Sequence, residues 1–337
     1  MNTNWFKTEE VGLIQLEISN YCNAACPLCS RVDDEVKGHL NNSYLTIEQI
    51  KKWFDYDFKN LNKVQFCGTY DEPTIHPDFL EIVNFFISRN PSITFVGIAT
   101  NGGTKNKQFW KELAYLGSTV RVTFGIDGLE DTNHIYRQNI KWKKLEENFQ
   151  TFIKAGGRAR WQFILFEHNK HQLEEARLRA KKEGFEKFVI VESNRHDEKS
   201  IIKNAKLSSE PEWFKDRQEN EIDGIPISKI KKLKTVRCAA KFNSGINKLD
   251  PDGGSIYLTH RGYLVPCCWL GNMYQLNEVW KSTAIPKENH NINYHTIEEI
   301  INGEMWEHIH NNLQKHKVCI ETCGTYEGDK QLGEIFL

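Results

Sequence analysis

Cys22-Asn-Ala-Ala-Cys26-Pro-Leu-Cys29 follows closely on the apolar run Val11-Gly-Leu-Ile-Gln-Leu-Glu-Ile18. The run reads as a strand, and the cysteines lie on the loop that leaves it. Thiolates separated by three residues and then by two can converge on one face of a four-iron cube. Three ligands for four irons leave one iron open to a small molecule. Zinc is an alternative, although structural zinc favours paired C-x2-C knuckles. A disulfide framework suits short secreted chains, whereas this chain has 337 residues and no secretory pattern at its start.

The length accommodates one large domain plus a small one. A formal net charge of −1 gives no sign of a polyanion-binding surface, so nucleic acid is not an expected partner. No apolar stretch reaches membrane-spanning length, and the chain is expected to be soluble and cytoplasmic. In that compartment nine cysteines argue for metal or catalysis rather than for disulfides.

Outward from the cysteine loop, strand and helix alternate. Strands are expected over 11–18, 63–67, 93–99, 120–126, 161–166 and 188–191. Helices are expected over 46–58, 76–90, 107–116, 141–155 and 171–183, the first opened by the capping-box pattern Thr46-Ile-Glu-Gln49. Repeats of this kind imply a parallel sheet with helices outside. Residues 196–235 break the alternation with polar sequence, Pro211, Gly224 and Pro226, and read as a linker or lid. Residues 236–337 hold short strands and a helical pattern over 296–313.

The C-x3-C-x2-C spacing after a first strand resembles the radical S-adenosylmethionine (SAM) superfamily. The resemblance implies an α/β fold, a partial (β/α)6 TIM-type barrel over 1–195, with its chemistry at the C-terminal strand ends. It implies a cluster held by Cys22, Cys26 and Cys29, whose open iron chelates the amino and carboxylate groups of SAM. One electron then cleaves SAM to methionine and a 5′-deoxyadenosyl radical, which takes a hydrogen atom from the substrate.

Further segments carry the same resemblance. Cys67-Gly-Thr-Tyr-Asp-Glu-Pro73 is similar to the Gly-Gly-Glu-Pro segment whose backbone carbonyls bind the SAM amino group. Tyr70 and Asp71 stand where the glycines would, and Gly68, Thr69, Tyr70, Asp71 and Glu72 are the implied contacts. Ala99-Thr-Asn-Gly102 resembles the Thr-Asn-Gly turn after the third strand and implicates Thr100 and Asn101. Phe124-Gly-Ile-Asp-Gly128 looks like the Ser-Ile-Asp-Gly segment, with Gly125 replacing the serine. Asp127 is then the expected ribose ligand, since a carboxylate accepts from both hydroxyls. Arg137 is either a partner for the SAM carboxylate or a surface arginine. Gln162, polar on a buried strand, needs a partner, and adenine or substrate is one option. Glu192, Ser193, Asn194 and Arg195 would border the site mouth.

Cys238, then Gly262-Tyr-Leu-Val-Pro-Cys267-Cys268, and finally Cys319-x3-Cys323 resemble the twitch, or half-SPASM, extension of the same superfamily. That resemblance implies a small C-terminal α+β iron–sulfur domain over 236–337, with an insertion around 250–254. Cys238, Cys267, Cys319 and Cys323 would close an auxiliary four-iron cluster; zinc on the same four is the alternative. Cys67 and Cys268 are left over. They are either small buried hydrophobes or hydrogen-atom donors near a substrate radical.

The expected protein is a radical SAM oxidoreductase with two 4Fe-4S clusters and SAM. It would abstract hydrogen from a small molecule or peptide for an oxidation, supplied by an electron donor such as flavodoxin or ferredoxin. A redox-neutral epimerase, with Cys268 or Cys67 returning the hydrogen, is one alternative. A non-catalytic cysteine-rich zinc-binding or scaffold protein is another.

Overall fold

The computed structural model describes residues 6–193, 200–206, 220–223, 233–236, 238 and 254–326. Its strands are β1 (Val11–Leu16), β2 (Lys63–Phe66), β3 (Phe95–Thr100), β4 (Val120–Gly125), β5 (Arg158–Leu165), β6 (Lys187–Glu192), β7 (Asn220–Asp223), β8 (Leu233–Val236), β9 (Gly254–Leu258), β10 (Leu264–Val265) and β11 (Gly324–Tyr326). Among the described residues, nine form one sheet in the order β10-β9-β1-β2-β3-β4-β5-β6-β7. Every pairing from β9 to β7 is parallel. Only the terminal hairpin of β9 and β10 is antiparallel, and β8 pairs with β11 apart from this sheet.

Alternation along the strands builds the core. Ile14, Leu16, Val64, Phe66, Val96, Ile98, Val122, Phe124, Trp161, Phe163 and Ile190 share one face. They pack against the apolar stripes of helices Phe79–Arg89, Lys107–Tyr115 and Trp142–Lys154, through Phe86, Trp110, Leu113, Leu145 and Phe149. Each such side chain contributes about 1.5–3 kcal/mol on burial. The alternate residues of the same strands face the opposite, inner surface of the sheet.

Two expectations are corrected. Among the described residues the sheet has nine strands rather than six, because β7 lies inside 196–235 and the β9–β10 hairpin inside 236–337, and both extend it. β7 (Asn-Glu-Ile-Asp) carries no apolar alternation to read, and β9 is buried on both faces beside β1. The single helix read over 296–313 is two, Ile297–Ile301 and Glu304–Asn311, because Asn302 ends the first and Gly303 caps the second. Asn194, Arg195, Pro211, Gly224, Pro226 and positions 250–253 of the insertion lie outside the described residues.

A second apolar cluster gathers Tyr257, Val265, Leu270, Met273, Leu276, Met305 and Ile309 from the C-terminal part. Val36 and Tyr70 reach into it from the N-terminal part. The two parts of the chain therefore share one sheet and interlock through Tyr70.

Candidate active site at the C-terminal strand ends

The loop leaving β1 folds back over the ends of β2, β3 and β4. Cys29 N donates to Cys26 O at 3.1 Å, and Val32 N to Cys29 O at 3.0 Å, so the third cysteine opens a short turn. Ala25 N donates to Gln138 O at 3.0 Å, which anchors the loop to the segment after β4. Arg31 donates through Nη1 to Asn20 O at 2.7 Å and also to Tyr70 O, joining the cysteine loop to the loop after β2.

At the end of β3, Asn101 Nδ2 lies 3.7 Å from Cys22 Sγ and donates to Asn23 Oδ1 at 2.9 Å. Asn101 Oδ1 accepts from Gly103 N at 2.8 Å. The turn between them needs glycine: Gly102 has φ +66°, and a Cβ there would stand 2.5 Å from Leu145 Cδ1. Glu72 is buried and is consumed by this scaffold. Its Oε1 accepts from Thr74 Oγ1 at 2.7 Å and Thr100 Oγ1 at 2.6 Å, while Oε2 accepts from Asn101 N at 2.6 Å. Glu72 and Thr100 thus bolt the β2 loop to the β3 end by their side chains.

At the end of β4, Asp127 and Arg137 pair inside the protein. Asp127 is fully buried. Its Oδ2 accepts from Arg137 Nε at 2.6 Å, and its Oδ1 from Ile164 N at 2.6 Å. Asp127 is thus engaged in an internal ion pair, with a charged donor on one oxygen and a backbone donor on the other. Burial pushes the Asp127 carboxyl up, opposed by Arg137 and the Ile164 N–H. The Arg137 guanidinium reaches inward instead of lying on the surface. A Cβ on Gly125 would stand 2.5 Å from Arg137 Nη2, so the missing serine side chain is what makes room for it. The same guanidinium lies beside the Cys26 thiol, where its charge opposes the upward push of burial. Gln162 is the register partner of Gly125 on β5, next to this group.

Several residues the sequence did not mark complete the floor. Glu17, one residue past β1, is buried. Its Oε2 accepts from Tyr70 N at 2.8 Å and Tyr257 Oη at 3.2 Å, and its Oε1 bonds His260 Nδ1. Tyr257 Oη also accepts from Thr69 N at 3.3 Å, and Tyr70 Oη accepts from Met273 N at 2.9 Å. Asp71 folds over Gly68 and accepts from Ile18 N at 3.2 Å. Burial, then Glu17 and Glu72, holds its carboxyl well above the usual range. Polar residues at period two, Gln15 and Glu17 in an otherwise apolar strand, were the available signal.

The late cysteines interact with one another. Cys267 interacts electrostatically with Cys268, then with Cys238 and Cys319, and Cys319 interacts with Cys238 and Cys323. Cys268 interacts with Glu17, and Cys67 interacts with Cys268.

The first cysteine loop fits an iron–sulfur cube. Cys22 interacts with Cys26, and Cys26 with Cys29, so the three thiols share one patch. Burial first, then Glu72, pushes the Cys22 thiol up to about 12. Thiolates at such a place need a cationic group among them. The Asn101 amide near Cys22 Sγ and the Arg137 guanidinium near Cys26 are donors of the kind that tune cluster sulfurs. Among the described residues, no three His, Cys, Asp or Glu side chains can hold one metal ion; a cube asks each cysteine to bind a different iron.

Residues 16–191 match the sequence model of the Radical SAM superfamily. The match spans more than half of the chain, and the protein belongs to that superfamily. Membership implies a 4Fe-4S cluster, SAM and SAM-dependent radical chemistry. Over 125 residues the chain is 31% identical to the tungsten-containing aldehyde ferredoxin oxidoreductase cofactor-modifying protein of Pyrococcus furiosus. That alignment covers 36% of this chain and 32% of the relative, so the chain matches about a third of its length. Among solved structures, Streptococcus suis SuiB superposes with a TM-score of 0.59 at 13% identity, over 88% of this chain and 66% of that one. The structure of anSMEcpe with bound AdoMet superposes with a TM-score of 0.57 at 14% identity, over 96% and 93%. These likenesses show the fold: an α/β, mostly parallel sheet of the radical SAM partial-barrel type. Among the described residues, no helix is long and apolar enough to cross a membrane.

Proposed function

We propose that this protein is a radical SAM oxidoreductase whose SAM-cleaving cluster is held by Cys22, Cys26 and Cys29. When bound there, the cluster and SAM supply a 5′-deoxyadenosyl radical that abstracts hydrogen from the substrate. The observation that carries the reading is the meeting of the cysteine loop with three strand ends, through Asn101 at Cys22 and Arg137 at Cys26.

The chain's own residues then have distinct tasks. Gly68, Thr69, Tyr70 and Asp71 offer the β2-loop backbone to the SAM amino group, with Glu72 and Thr100 fixing that loop against β3. Arg137, held by Asp127, presents its outer N–H groups to the SAM carboxylate. Gln162 borders the adenine or the substrate. Cys238, Cys267, Cys319 and Cys323 close a second four-iron cluster in a C-terminal unit, which takes the second electron of an oxidation. An electron donor of the flavodoxin or ferredoxin class feeds the first cluster.

The substrate is a small molecule or a peptide. SuiB has been seen with its precursor peptide SuiA, and anSMEcpe with a Cp18Cys peptide. A second reading, a redox-neutral epimerase, is favoured by one observation: Cys67 and Cys268 come together beside Glu17. In that case one thiol returns hydrogen to the substrate radical. Anaerobic reconstitution, then SAM and dithionite with candidate substrates in D2O, tests both. Oxidation gives a product two mass units lighter; epimerisation gives one deuterium at the inverted carbon, lost in Cys268→Ala or Cys67→Ala.

A further inference from the structure

The inner surface of the barrel carries two rows that include polar side chains with buried atoms lacking a hydrogen-bond partner. Cross-strand register places Gln15, Gln65, Gly97, Arg121 and Arg158 in one row on β1 to β5. Two residues nearer the strand ends, Ala99, Thr123, Arg160 and Lys187 form the next row. The residues between them belong to the apolar core against the helices, so both rows face inward.

Four polar atoms in these rows are buried without a hydrogen-bond partner: Oε1 and Nε2 of Gln15, Nε of Arg121 and Nε of Arg160. Gln15 is completely buried. Glu186 accepts from Arg158 Nε at 3.1 Å and from its Nη2, and the same carboxylate also interacts electrostatically with Arg121 and Arg160, so a single carboxylate faces three guanidinium groups. Arg121 is aimed by Phe95, whose ring centroid lies 5.2 Å from the guanidinium carbon and whose edge covers Gly97. A buried polar atom without a hydrogen-bond partner is costly, and a ligand is one group that can answer it. Ala99, in the second row, is exposed, so the interior opens to solvent at that level.

The chemistry of the unanswered atoms defines the ligand. Three are donors, two of them on permanently charged guanidinium groups, and one is an acceptor. We infer that the barrel interior binds the oxyanion of the substrate, a carboxylate or a phosphate, between Arg160, Arg121 and the Gln15 amide. A hydroxyl or amine beside that oxyanion would answer Gln15 Oε1. This rests on the reading of the strand ends as the SAM site. At about 3.3 Å per residue, Arg160 lies roughly 7 Å below Gln162. The substrate would thus be anchored by its anion in the interior, with its reacting C–H bond turned up toward the strand ends.

The test is anaerobic calorimetric titration of the cluster-loaded protein with inorganic phosphate and, separately, L-lactate. Saturable binding of either is expected, and the one that binds identifies the source of the oxyanion. Affinity should fall at least tenfold in Arg160→Gln and in Arg121→Gln, and less in Arg160→Lys. It should be unchanged in Arg89→Gln, whose surface pair with Asp55 lies far from the interior rows. Gln15→Leu should weaken binding yet raise the ligand-free melting temperature, the reverse of what loss of a structural residue does; this arm stands even if an arginine variant fails to fold. No saturable binding of either anion, or equal binding by the Arg121→Gln, Arg160→Gln double variant, overturns the inference. SAM cleavage by the wild-type protein is measured separately: if it fails while anion binding holds, the proposed reaction is wrong and the anion site is not.

Discussion

Arg137 donates through Nε to Asp127 Oδ2 at 2.6 Å, and its guanidinium fills the space above Gly125. The pair is buried, with the Asp127 side chain at 0% and that of Arg137 at 16% exposure. Its geometry ties the end of β4 to the cysteine loop. Asp127→Asn leaves the arginine without its counter-charge, and breaking such a pair costs about 3–5 kcal/mol. Urea denaturation should show that loss, and SAM binding by equilibrium dialysis should weaken with it. Gly125→Ser should displace Arg137 and weaken SAM binding with a smaller stability loss, about 1–3 kcal/mol for overpacking.

Glu17 joins the β2 loop to the C-terminal part through Tyr70, Tyr257 and His260. Tyr257→Phe removes the hydroxyl that meets both Thr69 and Glu17. The expected destabilisation is about 1–3 kcal/mol, the cost of buried partners left unpaired. A double-mutant cycle with Glu17→Gln should give a coupling above about 0.5 kcal/mol. Additive losses would show that the two side chains act independently.

Acid should weaken the C-terminal part through His290. Burial lowers its pKa to about 4, and Trp280 Nε1 donates to its Nε2 at 2.8 Å, so the folded ring is neutral. In the unfolded chain the ring titrates near the ordinary histidine value, about 6.5. The folded pKa is depressed, so this stabilisation is present above that value and is lost as pH falls toward about 4. The difference corresponds to about 3 kcal/mol. His290→Gln should flatten the stability profile across that window, measured by urea midpoints at successive pH values.

The late cysteines are tested by iron content. With two cubes the reconstituted protein should hold about eight irons per chain, falling to about four in the Cys319→Ala, Cys323→Ala double variant. Zinc in place of the second group of irons would remove its electron-transfer role.

Much of this was legible because it is local. The spacing of Cys22, Cys26 and Cys29 is a property of eight consecutive residues, and alternation located β1 to β6 within a few residues of their observed bounds. The partners of Asp127 were not legible. Its pairing with Arg137 depends on the turn and short helix between them, which bring back a residue ten positions later. Glu17 and His260 are 243 residues apart, and only the closure of β9 onto β1 makes them neighbours. β7 was missed because four residues without apolar alternation look like linker until β6 is there to pair with them.

The account rests most directly on Cys22, Cys26 and Cys29, and 5′-deoxyadenosine is the product to measure. Reconstituted wild-type protein, given SAM and dithionite without oxygen, should form it. The Cys22→Ala, Cys26→Ala, Cys29→Ala variant should form none while retaining the iron bound by the late cysteines. Undiminished 5′-deoxyadenosine formation in that variant would contradict the central claim.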